Sequence, residues 1–108
     1  MALTREFRQT VQARVRRDAA YRRALLTEAV DELLAGELGS GKSLLRDYVN
    51  ATLGFEALGK ELGRSSKSLQ RMLGPAGNPT AENLFAILRA LQEQEGRQLK
   101  VRLKSEAA

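Results

Sequence analysis

Apolar residues recur at helical spacing along most of this 108-residue chain. Phe7, Val11 and Val15 stand four apart and predict a first helix that starts after Thr4 and runs to about Arg17. Asp18 is a good N-cap for a second helix, from about Ala19 to Ala35. Its apolar face is broad: Tyr21, Leu25, Leu26, Ala29, Val30, Leu33 and Leu34. Gly36 breaks that pattern. A third helix, from about Lys42 to Leu53, carries Leu44, Leu45, Tyr48 and Val49 inward, with Gly54 as its stop. Two short helices follow around Gly63. Then GPAGNPT, positions 74–80, reads as a loop. Thr80 is placed to cap a final helix from about Ala81 to Glu95, with Leu84, Ile87, Leu88 and Leu91 as its stripe. After it the period changes. Leu99, Val101 and Leu103 alternate with Lys100, Arg102 and Lys104, which is the pattern of a strand. One strand cannot stand alone. The tail therefore pairs across a dimer axis or on another protein's sheet edge, or it is a frayed basic end.

This predicts an all-α fold of five to six helices, with the C-terminal segment either a short strand or a flexible tail. The chain is long enough for one domain with a modest core. Positions 1–53 are scaffold, 54–95 carry the short helices and their brace, and 96–108 form the tail.

The stretch Phe55–Leu73, FEALGKELGRSSKSLQRML, has the spacing of a helix-turn-helix. Leu58 and Leu62 share a face, and Leu69, Met72 and Leu73 repeat that pattern on the next helix. Gly63 supplies the left-handed residue that a sharp stop requires. Gly59, lacking a side chain, lets the second helix pack closely. Ser65 is the better N-cap of the Ser-Ser pair. With Leu69, Met72 and Leu73 inward, Lys67, Gln70 and Arg71 face outward. Arg and Lys suit guanine edges, Gln suits adenine, and the basic pair also suits phosphates. From Ser65 to Arg71 there is no acidic residue. Arg64 stands where such motifs often have an aliphatic residue. Its stem can pack while its guanidinium reaches the DNA backbone. Asn78 has two readings, a local turn former or a phosphate contact.

Charge changes the picture at one end. The net charge is +5, and residues 1–23 hold seven Arg against Glu6 and Asp18; the remainder balances. That excess suits a polyanion or an acidic protein surface. With no His and no Cys, the commonest general base, thiolate and metal ligands are missing. The serines have no visible activating base. The expectation is a non-enzyme without cofactor or metal. No apolar run approaches bilayer length and no signal peptide is visible, so a cytoplasmic location without membrane contact is expected.

Gly36–Ser43, GELGSGKS, fits the phosphate-loop pattern G-x-x-x-x-G-K-[ST]. That loop works only between a buried strand and a helix, and the residues before it have a helical period. A glycine-rich turn leading into the third helix is the preferred reading.

The run RDYVNATLGFEALGKELGRSSKSLQRMLGPAGNPTAENLFAILRALQ resembles the helix-turn-helix antitoxins of bacterial toxin–antitoxin modules, addiction-module antidote proteins of the lambda-repressor-like (Xre/HigA) class. The similarity covers roughly residues 18–93, and its most specific parts are SSKSLQRML and GPAGNPTAENL. It implies a transcriptional repressor of its own operon that binds a double-stranded DNA operator; two-fold pairing of the tail would make it a homodimer with two reading helices about one DNA turn apart. The partner it implies is a RelE-type ribonuclease toxin. It also implies that Ser66, Lys67, Gln70 and Arg71 face the major groove, with Arg64, Ser65, Ser68 and Asn78 nearer the phosphates. A rival expectation is a protein-interaction module that neutralises the toxin and uses the helix-turn-helix as scaffold.

Overall fold

Four side-chain caps set four of the helix starts. In the computed structural model, which describes residues 4–106, α1 spans Arg5–Arg17 and α2 spans Ala19–Leu34. Leu38–Ala51 forms α3, Gly54–Leu62 α4, Ser66–Met72 α5 and Ala81–Glu95 α6. Thr4 Oγ1 accepts from the Phe7 N–H at 3.0 Å, and Asp18 Oδ1 from the Tyr21 N–H at 3.1 Å. Ser65 Oγ accepts from the Ser68 N–H at 3.0 Å, and Thr80 Oγ1 from the Asn83 N–H at 3.1 Å. Each satisfies an N–H that the helix itself leaves orphaned, which is worth about 1 kcal/mol. Asp18, Ser65 and Thr80 are the caps the sequence predicts, and Thr4 caps the helix expected to start after it.

The helices close around one core. α1 and α3 both pack on α2, α3 carries α4, and α4 touches α5 and α6. Tyr48, Leu45, Leu58, Leu69, Leu73, Ile87 and Leu91 are fully buried at its centre. Among the described residues the fold is all-α, with six helices. Among the same residues no helix is long and apolar enough to cross a membrane.

Three expectations need correction. First, α3 begins at Leu38, a full turn before Lys42, so GELGSGKS is mostly helix rather than a glycine-rich turn. Only Gly36, at φ 85°, does the turning. Gly41 is helical because α2 and α3 approach closely there: a Cβ would meet Leu33 Cδ2 at 2.6 Å and the Ala29 carbonyl oxygen at 3.2 Å. The packing gained outweighs the roughly 1 kcal/mol that a mid-helix glycine costs. Second, Phe7 and Leu34 are not core; they are 52% and 63% exposed. Both sit near helix ends, where the apolar stripe overruns its neighbour. Third, of the two readings of Leu99–Leu103, a strand or a frayed tail, the strand is absent within this chain. After the Gly96 cap (φ 70°) the described chain has no regular secondary structure, and the Leu99 N–H donates to Gln92 Oε1 at 2.8 Å. Alternation alone cannot make a strand where no second strand offers hydrogen bonds.

A buried polar cluster ties three helices together. The side chain of Glu95, at the end of α6, is 2% exposed. Its carboxylate takes a fork from Arg22 of α2, Nε at 2.8 Å and Nη2 at 3.1 Å, and Arg23 Nε at 3.0 Å. The Tyr48 hydroxyl of α3 donates to the same carboxylate. Burial alone would raise the Glu95 carboxyl; the Arg22, Tyr48 and Arg23 donors outweigh it and hold it down to about 2. Burial and the adjacent carboxylate push the Tyr48 hydroxyl upward, so it stays a neutral donor.

Because Glu95 falls from an ordinary 4.5 to about 2, its ionised form stabilises the fold by up to about 3 kcal/mol. That contribution is fully present above about pH 4.5 and is lost as the pH falls toward 2. Glu95→Gln should lower the urea midpoint at pH 7 and flatten the pH dependence across that window, its curve meeting the wild type near the acid end. Parallel curves for the two proteins would remove Glu95 from the account.

Candidate nucleic-acid interface

The interface is built on the step from α4 to α5. Phe55 and Leu58 fix α4 to the core, and Gly63 ends it in the left-handed conformation, φ 66° and ψ 35°. The Arg64 N–H then donates to the Gly59 carbonyl at 2.9 Å, which seals the turn. Gly59 is tightly constrained: a Cβ there would meet the Arg64 carbonyl oxygen at 2.5 Å and the Ser66 nitrogen at 3.4 Å. The close approach expected at this glycine is thus between backbone and backbone.

Beyond the turn, α5 divides cleanly. Leu69 and the following Leu73 are buried, and Met72 is half-buried. Lys67, Gln70 and Arg71 are exposed, three and four residues apart on the outer face. Ser66 Oγ accepts from Gln70 Nε2 at 2.9 Å, so Gln70 is steadied from within its own helix. Ser65 is spent on the cap and Ser68 is half-buried beside it. Arg64 is exposed at the head of the turn, and its Nη2 donates to Asn83 Oδ1 of α6 at 2.7 Å. From Arg64 to Asn78 there is no acidic residue. Among the described residues, Arg64, Lys67 and Arg71 join no ion pair. Their charge is therefore offered outward.

Asn78 stands apart from this face. It is exposed in the loop between Gly77 and Pro79, beside a narrow groove shared with Leu33, Leu38, Lys42 and Leu84. Its side chain makes no hydrogen bond among the described residues. The structure brings Arg64 through Arg71 together and leaves Asn78 on a neighbouring loop.

Sequence reasoning missed the supports behind α5. Arg46 Nη1 of α3 donates to the Leu73 carbonyl at 2.8 Å, at the C-terminal end of α5. Lys42, nearly buried, donates from Nζ to the Gly77 carbonyl at 2.6 Å. Arg46 places its cation at the C-terminus of α5, where helix carbonyls have no partner and the dipole is negative, and Lys42 satisfies a carbonyl of the loop that follows. Gly77 also has no room for a Cβ, because its α-carbon lies against the Arg71 and Met72 carbonyls. The lysine of the phosphate-loop-like pattern is thus turned inward as a brace. The N–H of Gly41 beside it is committed to the Glu37 carbonyl at 2.9 Å. Asn83 was missed as well; its only signal was an amide three residues after the Thr80 cap.

The basic first segment is partly consumed inside the fold. Arg22 and Arg23 hold Glu95, and Arg14 pairs with Asp18 at 3.6 Å and lies over the Tyr21 ring, 4.6 Å from its centroid. Arg16 Nε reaches the Ala51 carbonyl at 3.4 Å. Arg5, Arg8 and Arg17 remain exposed on α1.

No protein-family model, curated protein or solved structure matches the chain.

Gly59→Ala should cost about 1–3 kcal/mol, because the methyl must push one backbone segment off another. A thermal melt followed by circular dichroism checks this. A melting temperature equal to the wild type would mean that α4 and α5 are further apart than described.

Proposed function

We propose that this chain is a sequence-specific double-stranded DNA-binding protein that reads the major groove with α5 and represses transcription. One observation carries the reading. A helix held from behind at Gly59, Leu69, Leu73 and the Arg46 contact presents a face of Lys67, Gln70 and Arg71, in a stretch with no acidic residue from Arg64 to Asn78. Such a face matches the donor and acceptor pattern of base edges, and rigid support fixes which edges it meets. Arg64 and the Ser65 region lie at the N-terminal end of α5, where the DNA backbone would pass. Ser66, at the first position of that helix, and Gln70 form one hydrogen-bonding unit toward the bases. Asn78 is assigned the outer phosphate contact.

The finer assignment is an antitoxin that controls its own operon, acts as a homodimer on a pseudo-palindromic operator in the cytoplasm, and has a RelE-type toxin as its partner. The sequence resemblance supports it. The tail supports a protein partner too. Val101 is 70% exposed and Leu103 fully so, between Lys100, Arg102 and Lys104, which leaves two apolar side chains open among basic ones. Neutralising a toxin and reading an operator use different surfaces of the same chain. No enzymatic role or cofactor is proposed.

Arg71→Ala should cost about 1–3 kcal/mol at the preferred site and relax preference at one base position. Selection from a randomised duplex pool with the wild type and the variant shows which position relaxes. An unchanged preference in the variant would sink the role given to Arg71 and with it the assignment of α5 as the reading helix.

A further inference from the structure

The contact between Arg64 and Asn83 joins the turn to the first turn of α6, nineteen residues away in sequence. Asn83 is the third residue of α6, counted from the Thr80 cap. At that position a Glu or Gln side chain commonly folds back onto the cap residue's own N–H. Here the amide is aimed across the turn at a guanidinium instead. The acceptor is also neutral. A carboxylate at this place would hold Arg64 equally well but would cancel its charge. An amide oxygen fixes one nitrogen of the fork and leaves the full positive charge, with the remaining N–H groups, facing solvent. Arg64 has no carboxylate partner among the described residues.

We propose, resting on the DNA-reading assignment above, that Asn83 is a positioning residue that pre-orders Arg64 as a phosphate clamp at the edge of the reading helix. A free arginine must give up its rotamer freedom when it meets a phosphate; one already held loses less on binding. Because a phosphate carries no sequence information, the clamp strengthens binding to every duplex alike.

The test is a double-mutant cycle read by DNA binding. Wild type, Asn83→Ala, Arg64→Ala and the double variant are titrated against the duplex upstream of the gene and a scrambled duplex, over a salt series. Arg64→Ala should weaken binding to both duplexes and lower the salt slope by about one ion, the share of one phosphate contact. Asn83→Ala should weaken both by about fivefold, the scale of the rotamer freedom of one long side chain, with the slope unchanged. In the Arg64→Ala background, Asn83→Ala should have no further effect. Its melting temperature should match or exceed the wild type, since Ala is a better helix former than Asn. Equal effects of Asn83→Ala with and without Arg64, or no effect at all, would overturn the positioning role while leaving the DNA-reading assignment standing. Wild-type protein that binds neither duplex would overturn that assignment itself.

Discussion

A helix of seven residues has almost no stability of its own in water, so everything proposed for α5 depends on what holds it. The central constraint is the backbone approach at Gly59. There α4 and the start of α5 come together more closely than any side chain would allow. Gly63 supplies the reversal, and Leu69 and Leu73 fix the inner face. At the other end, Arg46 and Lys42 hold the carbonyls that α5 and its loop leave open. The outer face then has no structural duty, and its side chains are available for recognition.

The scaffold has its own lock, at the opposite side of the polar bookkeeping. Glu95 gathers Arg22, Arg23 and Tyr48 from two other helices into a satisfied buried cluster. Breaking one member leaves charge uncompensated in a low-dielectric place, so the cluster holds its three helices in one arrangement. α6, anchored at its end by Glu95, meets the Arg64 turn at its beginning through Asn83. One helix thus links the interior lock to the edge of the recognition face.

What was legible in the sequence was local. Thr4, Asp18, Ser65 and Thr80 cap helices through N–H groups three residues away. Gly63 needs only its own φ, and Leu69 with Leu73 needs only the helical period. Illegible features were those made by distant pairs. Lys42 meets a carbonyl thirty-five residues on, and Arg22 meets Glu95 seventy-three residues on. The early start of α3 turned on Leu33 lying against Gly41, a tertiary fit that outvoted glycine's poor helix propensity. The tail failed for the converse reason. Its alternation from Leu99 to Leu103 is a local signal, but a strand is a property of a pair. Of the site, the outer face of α5 was predicted from spacing, whereas Asn83 became visible only when α6 was seen to pass the turn.

The most direct measurement is fluorescence anisotropy of the purified protein with a labelled duplex from just upstream of its own gene, beside a scrambled duplex of equal length and a salt series. A reading helix predicts tighter binding to the native duplex, with a preference that survives moderate salt. Equal binding to both duplexes that falls away together as salt rises would mean a basic surface and no sequence reading, and would contradict the account.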